Sequence, residues 1–400
     1  MQYRTMPKSE DKLSVLGFGC MRLPSRSGNP MISPVDPAEA KKQIVHAIEN
    51  GLNYLDTAWP YHRGDSERFL GQHIVPEYRD KVYIATKLPC FSIGSRKKMD
   101  EVFGKQLQKL QTDYIDYYLM HSLDGANWDK MVSLGAVDFM DEIRRDKKVR
   151  HIGFSFHGDQ ADFIRIVDDY DWDFVQVQMN ILDENFQAGM KGIRYAAGKN
   201  MGVIAMEPLR GGALVGKMPH DVKKVYDHAS VRRSAADWAF SWLYNMPEVT
   251  LVLSGMNDMA HIDENLAVAD KARPGMLSKQ ELGIVHAARD AFRGAMAISC
   301  TGCAYCMPCP QGINIPGALK NLNDFHMFGK FAARVAHWQH TGMRTEDGTP
   351  RWAGTCTECG ACEKQCPQNL QIIDALKQVD KKLEGPFGKI VSAAGRRVIG

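Results

Sequence analysis

The sequence predicts an α/β protein, a (β/α)8 TIM barrel followed by a small, mainly helical domain. Over about residues 1–270, short apolar runs rich in Val, Ile, Leu, Phe and Tyr alternate with segments of helical character. Beyond them this alternation stops, and eight of the ten cysteines fall in two short runs. Eight strands that alternate with helices over this length are typical of a closed parallel barrel.

The expected strands are the short apolar runs, in chain order Ser14–Cys20, Leu52–Thr57, Val82–Lys87, Tyr114–His121, His151–Phe156, Phe174–Met179, Gly202–Glu207 and Val249–Ser254. Runs of this length and composition are typical of strands buried on both faces. An open, doubly wound sheet is the alternative. No G-x-G-x-x-G motif follows the first strand, which weakens the version of that fold that binds a dinucleotide in the Rossmann manner.

The helix at Asp36–Asn50 has the clearest boundaries. Asp36 fits the N-cap position, where a carboxylate accepts backbone N–H groups, and Pro37 fits the first helical position. Gly51 supplies the stop. Further helices are expected at Met99–Gln111, Gln160–Tyr170, Val231–Tyr244, Leu277–Met296 and Asn369–Leu383.

Composition limits the classes of function. A 44% apolar content supports a large core, and a net charge of +3 implies no strong attraction to nucleic acid or to a membrane. No apolar stretch is long enough to span a bilayer, and the polar segment Met1–Glu10 lacks the apolar core of a signal peptide. Because the chain is rich in thiols, we expect it in a reducing cytoplasm.

Four reactive side chains follow successive strands. Asp56 ends the second expected strand and Tyr61 lies in the loop after it, while Lys87 ends the third strand and His121 the fourth. In this type of barrel, reactive residues lie at the C-terminal ends of the strands, so the four are expected to converge. A phenol can protonate a carbonyl oxygen while a hydride reaches the carbon. An ammonium beside the phenol would lower its pKa, a carboxylate would hold the ammonium, and an imidazole could orient the carbonyl.

Each of the four also has a purely structural explanation. Asp56 could cap a helix, Lys87 could extend to the surface, His121 could be a hydrogen-bonded core residue, and Tyr61 could pack beside Trp59. Their expected convergence at one end of one barrel is what favours a catalytic site.

The cysteine spacing is typical of iron–sulfur proteins. The second run, Cys356, Cys359, Cys362 and Cys366 followed by Pro367, reads C-x2-C-x2-C-x3-C-P, a spacing that holds [4Fe–4S] clusters. The first run is Cys300, Cys303, Cys306 and Cys309, with Met307 and Pro308 before its last cysteine. In the two-cluster pattern, the fourth cysteine of each run binds the cluster of the other run. Cys300, Cys303 and Cys306 would then share a cluster with Cys366, and Cys356, Cys359 and Cys362 would share one with Cys309.

Other interpretations of these cysteines are weaker. A single cluster is one alternative, and a four-thiolate zinc site built from two C-x2-C pairs would leave four of the eight unexplained. Disulfides would require an oxidising compartment. Cys20 and Cys90 stand apart in apolar surroundings and are expected to be small buried residues.

Three segments of the barrel region resemble the aldo-keto reductase family. GLNYLDTAWPYHRGDSERFLG at 51–71 is similar to the family signature, and IATKL at 84–88 and YIDYYLMHS at 114–122 carry the family's lysine and histidine. The resemblance implies reduction of a carbonyl compound, or oxidation of an alcohol, with NADPH or NADH. It also implies that the four residues above form the catalytic tetrad, with Tyr61 as general acid/base. The C-terminal cysteines add a resemblance to a bacterial subgroup with a fused, ferredoxin-like iron–sulfur domain.

The same resemblance implies contacts with the cofactor. Ser155 and Gln176 match residues that hydrogen-bond the nicotinamide amide, and Glu264 and Asn265 match a pair that contacts the adenine.

Other positions depart from the family pattern or leave it open. Met206 stands where many members stack a tyrosine on the nicotinamide. Gly255 and His261 stand where NADPH-specific members have a lysine and an arginine for the 2′-phosphate, so both NADH and NADPH stay open. Leu209 and Arg210 lie in the seventh loop, where Arg210 would contact the pyrophosphate or the substrate.

The expected domains are a barrel at 1–275, an iron–sulfur domain at 276–385 and a tail at 386–400. One interpretation is an ordinary carbonyl reductase whose clusters stabilise the second domain. A second is an electron-transfer enzyme, in which a ferredoxin or flavoprotein partner feeds the clusters and, through them, a substrate in the barrel. A third is a scaffold or redox partner with residual activity, which an intact tetrad disfavours. Trp59 and Trp128 are expected to form an apolar wall of the substrate pocket.

Overall fold

The computed structural model describes residues 1–26, 33–216, 218–300, 306–339, 341, 350–366, 369–386 and 388. Its strands are β1 (Tyr3–Thr5), β2 (Lys12–Ser14), β3 (Leu16–Gly19), β4 (Tyr54–Asp56), β5 (Tyr83–Leu88), β6 (Ile115–Leu123), β7 (Val149–Phe156), β8 (Phe174–Gln178), β9 (Gly202–Met206) and β10 (Leu251–Ser254).

The α-helices are α1 (Pro37–Glu49), α2 (Asp65–His73), α3 (Val75–Tyr78), α4 (Arg96–Leu110), α5 (Gly125–Ser133), α6 (Ala136–Arg145), α7 (Gln160–Asp169), α8 (Gly189–Gly198), α9 (His220–Asp227), α10 (Ala235–Tyr244), α11 (Met259–Ala269), α12 (Lys279–Gly294), α13 (Ile315–Met327), α14 (Lys330–Trp338), α15 (Ala361–Lys364) and α16 (Ile372–Val379). No helix within these described ranges has the length and apolar character required to cross a membrane.

Eight strands close into a parallel barrel in the order β10, β3, β4, β5, β6, β7, β8, β9. The ring closes because β10 pairs with both β9 and β3. This closed ring confirms the predicted barrel, and the open-sheet alternative is wrong. All eight strands are parallel, so their C-terminal ends, and the loops that follow them, lie at the same end of the barrel.

Serine and aspartate caps set where several helices begin. The Asp36 carboxylate accepts hydrogen bonds from the backbone N–H groups of Ala38 and Glu39, as expected for a cap before Pro37. Helix α4 begins three residues earlier than expected, because the Ser95 hydroxyl caps it. Helix α10 begins four residues later than expected, at Ala235, because Ser234 caps it.

A short hairpin that the sequence did not predict covers the N-terminal end of the barrel. The expected strand Ser14–Cys20 is divided, since Lys12–Ser14 pairs antiparallel with Tyr3–Thr5 and the barrel strand begins at Leu16. Met6 and Leu13 of this segment belong to a buried cluster with residues of the strands. An ideal Cβ on Gly202, the first residue of β9, would lie 2.2 Å from Met6 Sδ, so any larger residue there would require the Met6 side chain to move.

The described chain divides into two compact units. The first comprises Met1–Gly211 and Arg233–Leu282 and contains the barrel. The second comprises Gly212–Arg232 and Gly283–Gly400. Its core of apolar residues comes mainly from α13, α14, α16 and the π-helical turn Asp380–Glu384. The helix expected at Asn369–Leu383 is thus observed as α16 followed by that turn.

A buried contact between a histidine and a carboxylate lies within the second unit. The side chains of His337 and Glu384 are both fully buried, with Nε2 of the imidazole 2.9 Å from the carboxylate. The carboxylate also accepts hydrogen bonds from the backbone N–H groups of Ala353 and Gly354, at 2.6 and 3.2 Å. These two residues belong to the 3-10 turn directly before Cys356. Glu384 therefore ties the C-terminal turn to the beginning of the second cysteine run.

Candidate active site

Two adjacent strands bring a carboxylate and an ammonium together. Asp56 is the last residue of β4, and Lys87 lies one residue before the end of β5. Lys87 Nζ donates hydrogen bonds to both oxygens of Asp56, at 2.7 and 2.8 Å, and to the carbonyl of Thr57 at 2.8 Å. The Lys87 side chain is 1% exposed, so all three bonds form out of contact with water.

Tyr61 completes this group from the loop after β4. Its hydroxyl lies 3.4 Å from Lys87 Nζ, and its side chain is partly exposed. The next two residues, His62 and Arg63, have φ values of 51° and 57°, in the left-handed region. Such conformations cost about 1–3 kcal/mol each and persist only where the surroundings impose them. The phenol therefore lies on a loop that its environment holds in a strained shape.

Burial is the largest influence on the pKa of each of these groups. Burial raises the pKa of Asp56, and the nearby Lys87 charge lowers it only in part. Burial alone would lower the pKa of Lys87, yet the charges of Asp56 and Tyr61 raise it above its ordinary value. Burial also raises the pKa of Tyr61, by more than the ammonium lowers it. The ammonium therefore lowers the phenol pKa as expected, but desolvation outweighs it and the net shift of the pKa is upward.

His121 lies on β6, next to β5. The centroid of its ring is 6.2 Å from that of Tyr61, in an edge arrangement. Burial, and then the charge of Lys87, lower the pKa of His121 well below its ordinary value, so the imidazole is neutral at neutral pH. Its Nδ1 is buried and has no hydrogen-bond partner among the described residues. The exposed ring of Phe91 lies 5.7 Å from the imidazole, between centroids.

Ser155, Gln176 and Met206 come together on three neighbouring strands. Ser155 on β7 is paired in register with Gln176 on β8. The Ser155 hydroxyl accepts a hydrogen bond from the backbone N–H of Ser122 at 2.8 Å. Gln176 Nε2 lies 3.4 Å from Met206 Sδ, and its Oε1 is buried without a partner in the described part of the chain. An unpaired buried amide oxygen fits a site that a ligand N–H would complete.

Arg210 and Leu209 lie in the loop after β9. Arg210 Nε is 3.2 Å from Asp183 Oδ2, and both side chains are largely buried. Asp183 also accepts hydrogen bonds from the side-chain amides of Gln178 and Asn180, at 2.7 and 3.0 Å. Asp183 therefore holds the guanidinium of Arg210 in place. The neighbouring residue Leu209 is half-buried.

The remaining predicted cofactor residues follow β10. Gly255 is exposed, and Asn265 on α11 is buried, with its Nδ2 donating to the Ser254 hydroxyl at 3.1 Å. Glu264 is half-buried on the same helix. An ideal Cβ on Gly255 would lie 3.3–3.5 Å from the aliphatic carbons of Arg22.

The sequence analysis missed three residues at this end of the barrel. Arg22 follows the first barrel strand, and its Nη1 donates to the carbonyl of Gly211 at 3.2 Å. The other two residues are Phe91 and Asp183. The rule that loops after strands carry function would have identified Arg22 and Phe91. Nothing in the sequence linked Asp183 to Arg210. Trp128 was wrongly expected in the pocket wall: it is 1% exposed and its Nε1 donates to Asp169 at 2.8 Å.

Five cysteines from both runs line one pocket in the second unit. They are Cys306, Cys309, Cys356, Cys359 and Cys362, with apolar residues such as Ile315, Ile373 and Leu376 between them. Cys300 and Cys366 are half-buried against the same unit's core. Cys303 lies outside the described residues.

The lining of this pocket is chemically compatible with an iron–sulfur cluster. Among the described residues, no three His, Cys, Asp or Glu side chains converge closely enough to bind one metal ion. A cubane binds each cysteine through a different iron, so it spaces the sulfurs more widely than one ion does. The backbone N–H of Glu358 also lies 3.5 Å from Cys356 Sγ, the kind of contact that tunes cluster potentials. The pocket therefore offers cysteine sulfurs in apolar surroundings as ligands.

Family models match two parts of the chain. The model described as the aldo/keto reductase family matches residues 15–288, and the model of the 4Fe-4S dicluster domain matches residues 299–371. The first match covers the barrel with its strand-end residues, and the second covers both cysteine runs.

Several known proteins are similar to the barrel part. L-galactose dehydrogenase of Arabidopsis thaliana is 25% identical over 310 residues, which is 72% of this chain and 94% of that protein. Methylglyoxal reductase of Escherichia coli is 24% identical and covers 70% of this chain and 96% of its own length. An aldo-keto reductase from Bacillus halodurans, in its holo form, has the same fold with a TM-score of 0.61 at 22% identity, over 72% of this chain and 96% of its own. An aldo-keto reductase from Klebsiella pneumoniae, in complex with NADPH, has a TM-score of 0.59 at 20% identity. The match covers 71% of this chain and 94% of that one.

Proposed function

The chain belongs to the aldo/keto reductase family and carries a 4Fe-4S dicluster domain, and on that premise we propose that this oxidoreductase reduces a carbonyl compound, or oxidises the alcohol, with NADPH or NADH. The nicotinamide, when bound, supplies the hydride to the carbonyl carbon. The observation that carries the proposal is the Lys87 ammonium, which lies within 3.4 Å of the Tyr61 hydroxyl and 2.7 Å of Asp56.

In the proposed reaction, Tyr61 protonates the carbonyl oxygen. Because burial raises its pKa, the phenol is protonated at neutral pH and can act as an acid. Once the proton leaves, the adjacent ammonium of Lys87 stabilises the phenolate, and Asp56 keeps that ammonium in place. The neutral imidazole of His121, at the other side of the phenol, hydrogen-bonds the substrate oxygen and so orients the carbonyl.

The cofactor is proposed to lie across the strand ends from β7 to β10. The unpaired Gln176 oxygen and the Ser155 hydroxyl would hold the nicotinamide amide, and Met206 would pack beside the ring. Arg210, with Leu209 beside it, would contact the pyrophosphate.

At the far end of the proposed cofactor site, Glu264 and Asn265 would contact the adenine. Gly255, against which the aliphatic part of Arg22 lies, would border the same site.

Two [4Fe–4S] clusters are proposed for the second unit. Cys309 lines the same pocket as Cys356, Cys359 and Cys362, as the crossed assignment requires, and Cys306 lines it as well. Cys300, Cys303 and Cys306 would hold the other cluster with Cys366. When bound, such clusters pass single electrons. Because Cys359 is exposed, we propose that a ferredoxin or flavoprotein partner exchanges electrons there.

The domain boundaries at 1–275, 276–385 and 386–400, and a cytoplasmic location, are part of this proposal. The location rests on the cysteine chemistry, because free thiolate ligands persist in reducing compartments.

The test is anaerobic purification followed by assays with a panel of aldehydes and ketones, using NADPH and NADH in parallel. We expect cofactor oxidation that depends on the carbonyl and that Tyr61→Phe reduces by a factor of about 100 or more. Full activity in Tyr61→Phe would refute the proposed acid. Bleaching of the cluster absorption by NADPH or NADH alone would instead favour the electron-transfer alternative, in which the clusters and the barrel exchange electrons.

A further inference from the structure

A lysine outside the tetrad contacts the loop that carries Tyr61. Lys109, near the end of α4, has its Nζ 3.7 Å from the centroid of the Trp59 ring. An ideal Cβ on Gly64 would lie 3.5 Å from the same nitrogen. Trp59 and Gly64 are the two ends of the segment that contains Tyr61. The ammonium therefore packs on Trp59 at one end of that segment and lies near Gly64 at the other.

A buried carboxylate fixes this ammonium. Glu67 on α2 is fully buried, and its Oε2 lies 3.1 Å from Lys109 Nζ. A buried carboxylate is costly unless charge and hydrogen bonds compensate it. Both are present, because Oε1 also accepts hydrogen bonds from Thr86 Oγ1 and Gln106 Nε2, each at 2.7 Å.

The same carboxylate leads to the strand of Lys87. Thr86, which binds Glu67, directly precedes Lys87 on β5. Gln106 Nε2, besides binding Glu67, donates to the backbone carbonyl of Lys87 at 3.0 Å. The Tyr118 hydroxyl donates a hydrogen bond to Oε1 of the same Gln106 amide, at 2.7 Å. One carboxylate thus connects the loop of Tyr61 with the backbone of Lys87.

We propose that Lys109 and Glu67 are positioning residues that set the distance between the Tyr61 hydroxyl and the Lys87 ammonium. The inference rests on the proposed function of Tyr61 as the proton donor. The segment needs such support, because His62 and Arg63 occupy strained left-handed conformations. The attraction of a cation to an indole face is comparable in size with the cost of one of these residues.

The first test compares Lys109→Met with Lys109→Arg and with Lys105→Met as the matched control. Lys105 is an exposed lysine on the same helix. We expect Lys109→Met to lower kcat by about tenfold to 100-fold, since displacements of about 1 Å have such effects. The KM for NADPH or NADH should change little, because the predicted cofactor contacts lie on other strands. Lys109→Arg should retain most of kcat, as a guanidinium can stack on the indole and pair with the carboxylate.

A double variant distinguishes a general loss of stability from a displacement of the loop that carries Tyr61. Lys109→Met leaves the buried Glu67 without its cation, which by itself destabilises the fold. Lys109→Met combined with Glu67→Gln removes that charge, so its melting temperature should recover. If the two residues position the loop, kcat of the double variant stays low. Recovery of both melting temperature and kcat would mean a purely structural role and would overturn the inference.

A readout without turnover separates this inference from the proposed function. Tyrosine labelled with 13C at the ring carbon that bears the hydroxyl is titrated by NMR, and Tyr61→Phe identifies the signal. We expect the titration midpoint of Tyr61 to move to higher pH in Lys109→Met, as the phenol moves away from Lys87, and to stay unchanged in Lys105→Met. An unchanged midpoint in Lys109→Met would overturn the inference. The midpoint could move in Lys109→Met while Tyr61→Phe keeps full activity. That combination would support the positioning role of Lys109 and refute Tyr61 as the proposed acid.

Discussion

The Lys87 ammonium lies between the two carboxylate oxygens of Asp56, 2.7 and 2.8 Å from them. This pair is formed where almost no water reaches, so it keeps a fixed positive charge beside the phenol of Tyr61. The distance from that charge to the phenol, 3.4 Å, is long for a hydrogen bond. In structures without substrate, catalytic contacts are often of this kind and shorten when the substrate binds.

The pH dependence of the reduction should reflect the raised pKa of Tyr61. Reduction needs the protonated phenol, so kcat/KM should stay level through neutral pH and fall only above the ordinary tyrosine value of about 10. Alcohol oxidation needs the phenolate and should rise over the same range. His121 should add no inflection near its ordinary value, because its pKa is lowered. Stopped-flow profiles of both directions test this, and a reduction rate that declines between about pH 6 and pH 8 would contradict it.

Arg22→Ala should weaken the binding of the nicotinamide cofactor. The Arg22 side chain lies against Gly255 and donates to the carbonyl of Gly211, between the loops proposed to hold the dinucleotide. Loss of a charged hydrogen bond should raise the cofactor KM by about tenfold. The exposed Arg68 on α2 supplies the control, Arg68→Ala. If Arg22 reads the 2′-phosphate, the preference for NADPH over NADH falls in the variant; an unchanged KM for both cofactors contradicts the contact.

Glu384→Gln should destabilise the second unit. The change removes the carboxylate that contacts the buried His337 and leaves one oxygen to serve two backbone N–H groups. Loss of a buried hydrogen bond to a carboxylate costs about 1.5–3 kcal/mol. The control is Asp374→Asn, which removes an exposed carboxylate from α16 at a cost below about 1 kcal/mol. Calorimetry and iron content test both, and equal melting temperatures would show that the pair contributes little.

Cys309→Ser and Cys366→Ser distinguish the crossed from the uncrossed assignment of the clusters. Cys309 lines the pocket with the three closely spaced cysteines of the second run. In the crossed arrangement, Cys309→Ser perturbs the same cluster as Cys356→Ser does, and Cys366→Ser perturbs the other. Electron paramagnetic resonance of the reduced, anaerobically purified proteins compares the signals. If Cys366→Ser and Cys356→Ser alter the same signal, the assignment is uncrossed.

The barrel and the strand-end residues were predictable because they follow from periodicity and from one geometric rule. Asp56 and Lys87 each close a short apolar run, and parallel strands bring such ends together. The Glu67 and Lys109 contacts were not predictable in this way. They join α2 to α4, and which faces of two helices meet depends on packing that a single sequence does not encode locally. The hairpin β1–β2 was missed because strands of three residues leave almost no periodic signal.

The net sign of the pKa shift at Tyr61 could not be predicted, for a related reason. Charges can be read from a sequence, whereas burial cannot, and burial is the larger influence on this phenol. Trp128 was misplaced likewise, since a tryptophan that follows a strand is equally suited to a pocket wall and to a core, and on α5 it lies in the core.

The burial of Cys20 and Cys90 has a practical consequence for work at the bench. Both side chains are fully buried, and burial raises the pKa of Cys90 to about 12 and that of Cys20 further. Alkylating reagents attack thiolates, so these two positions are protected in the native barrel. Alkylated thiols can be counted before and after unfolding. The counts therefore distinguish the protected pair from the eight C-terminal cysteines. Loss of cluster iron can then be followed by simple labelling, with the protected pair as an internal check that the barrel has stayed folded.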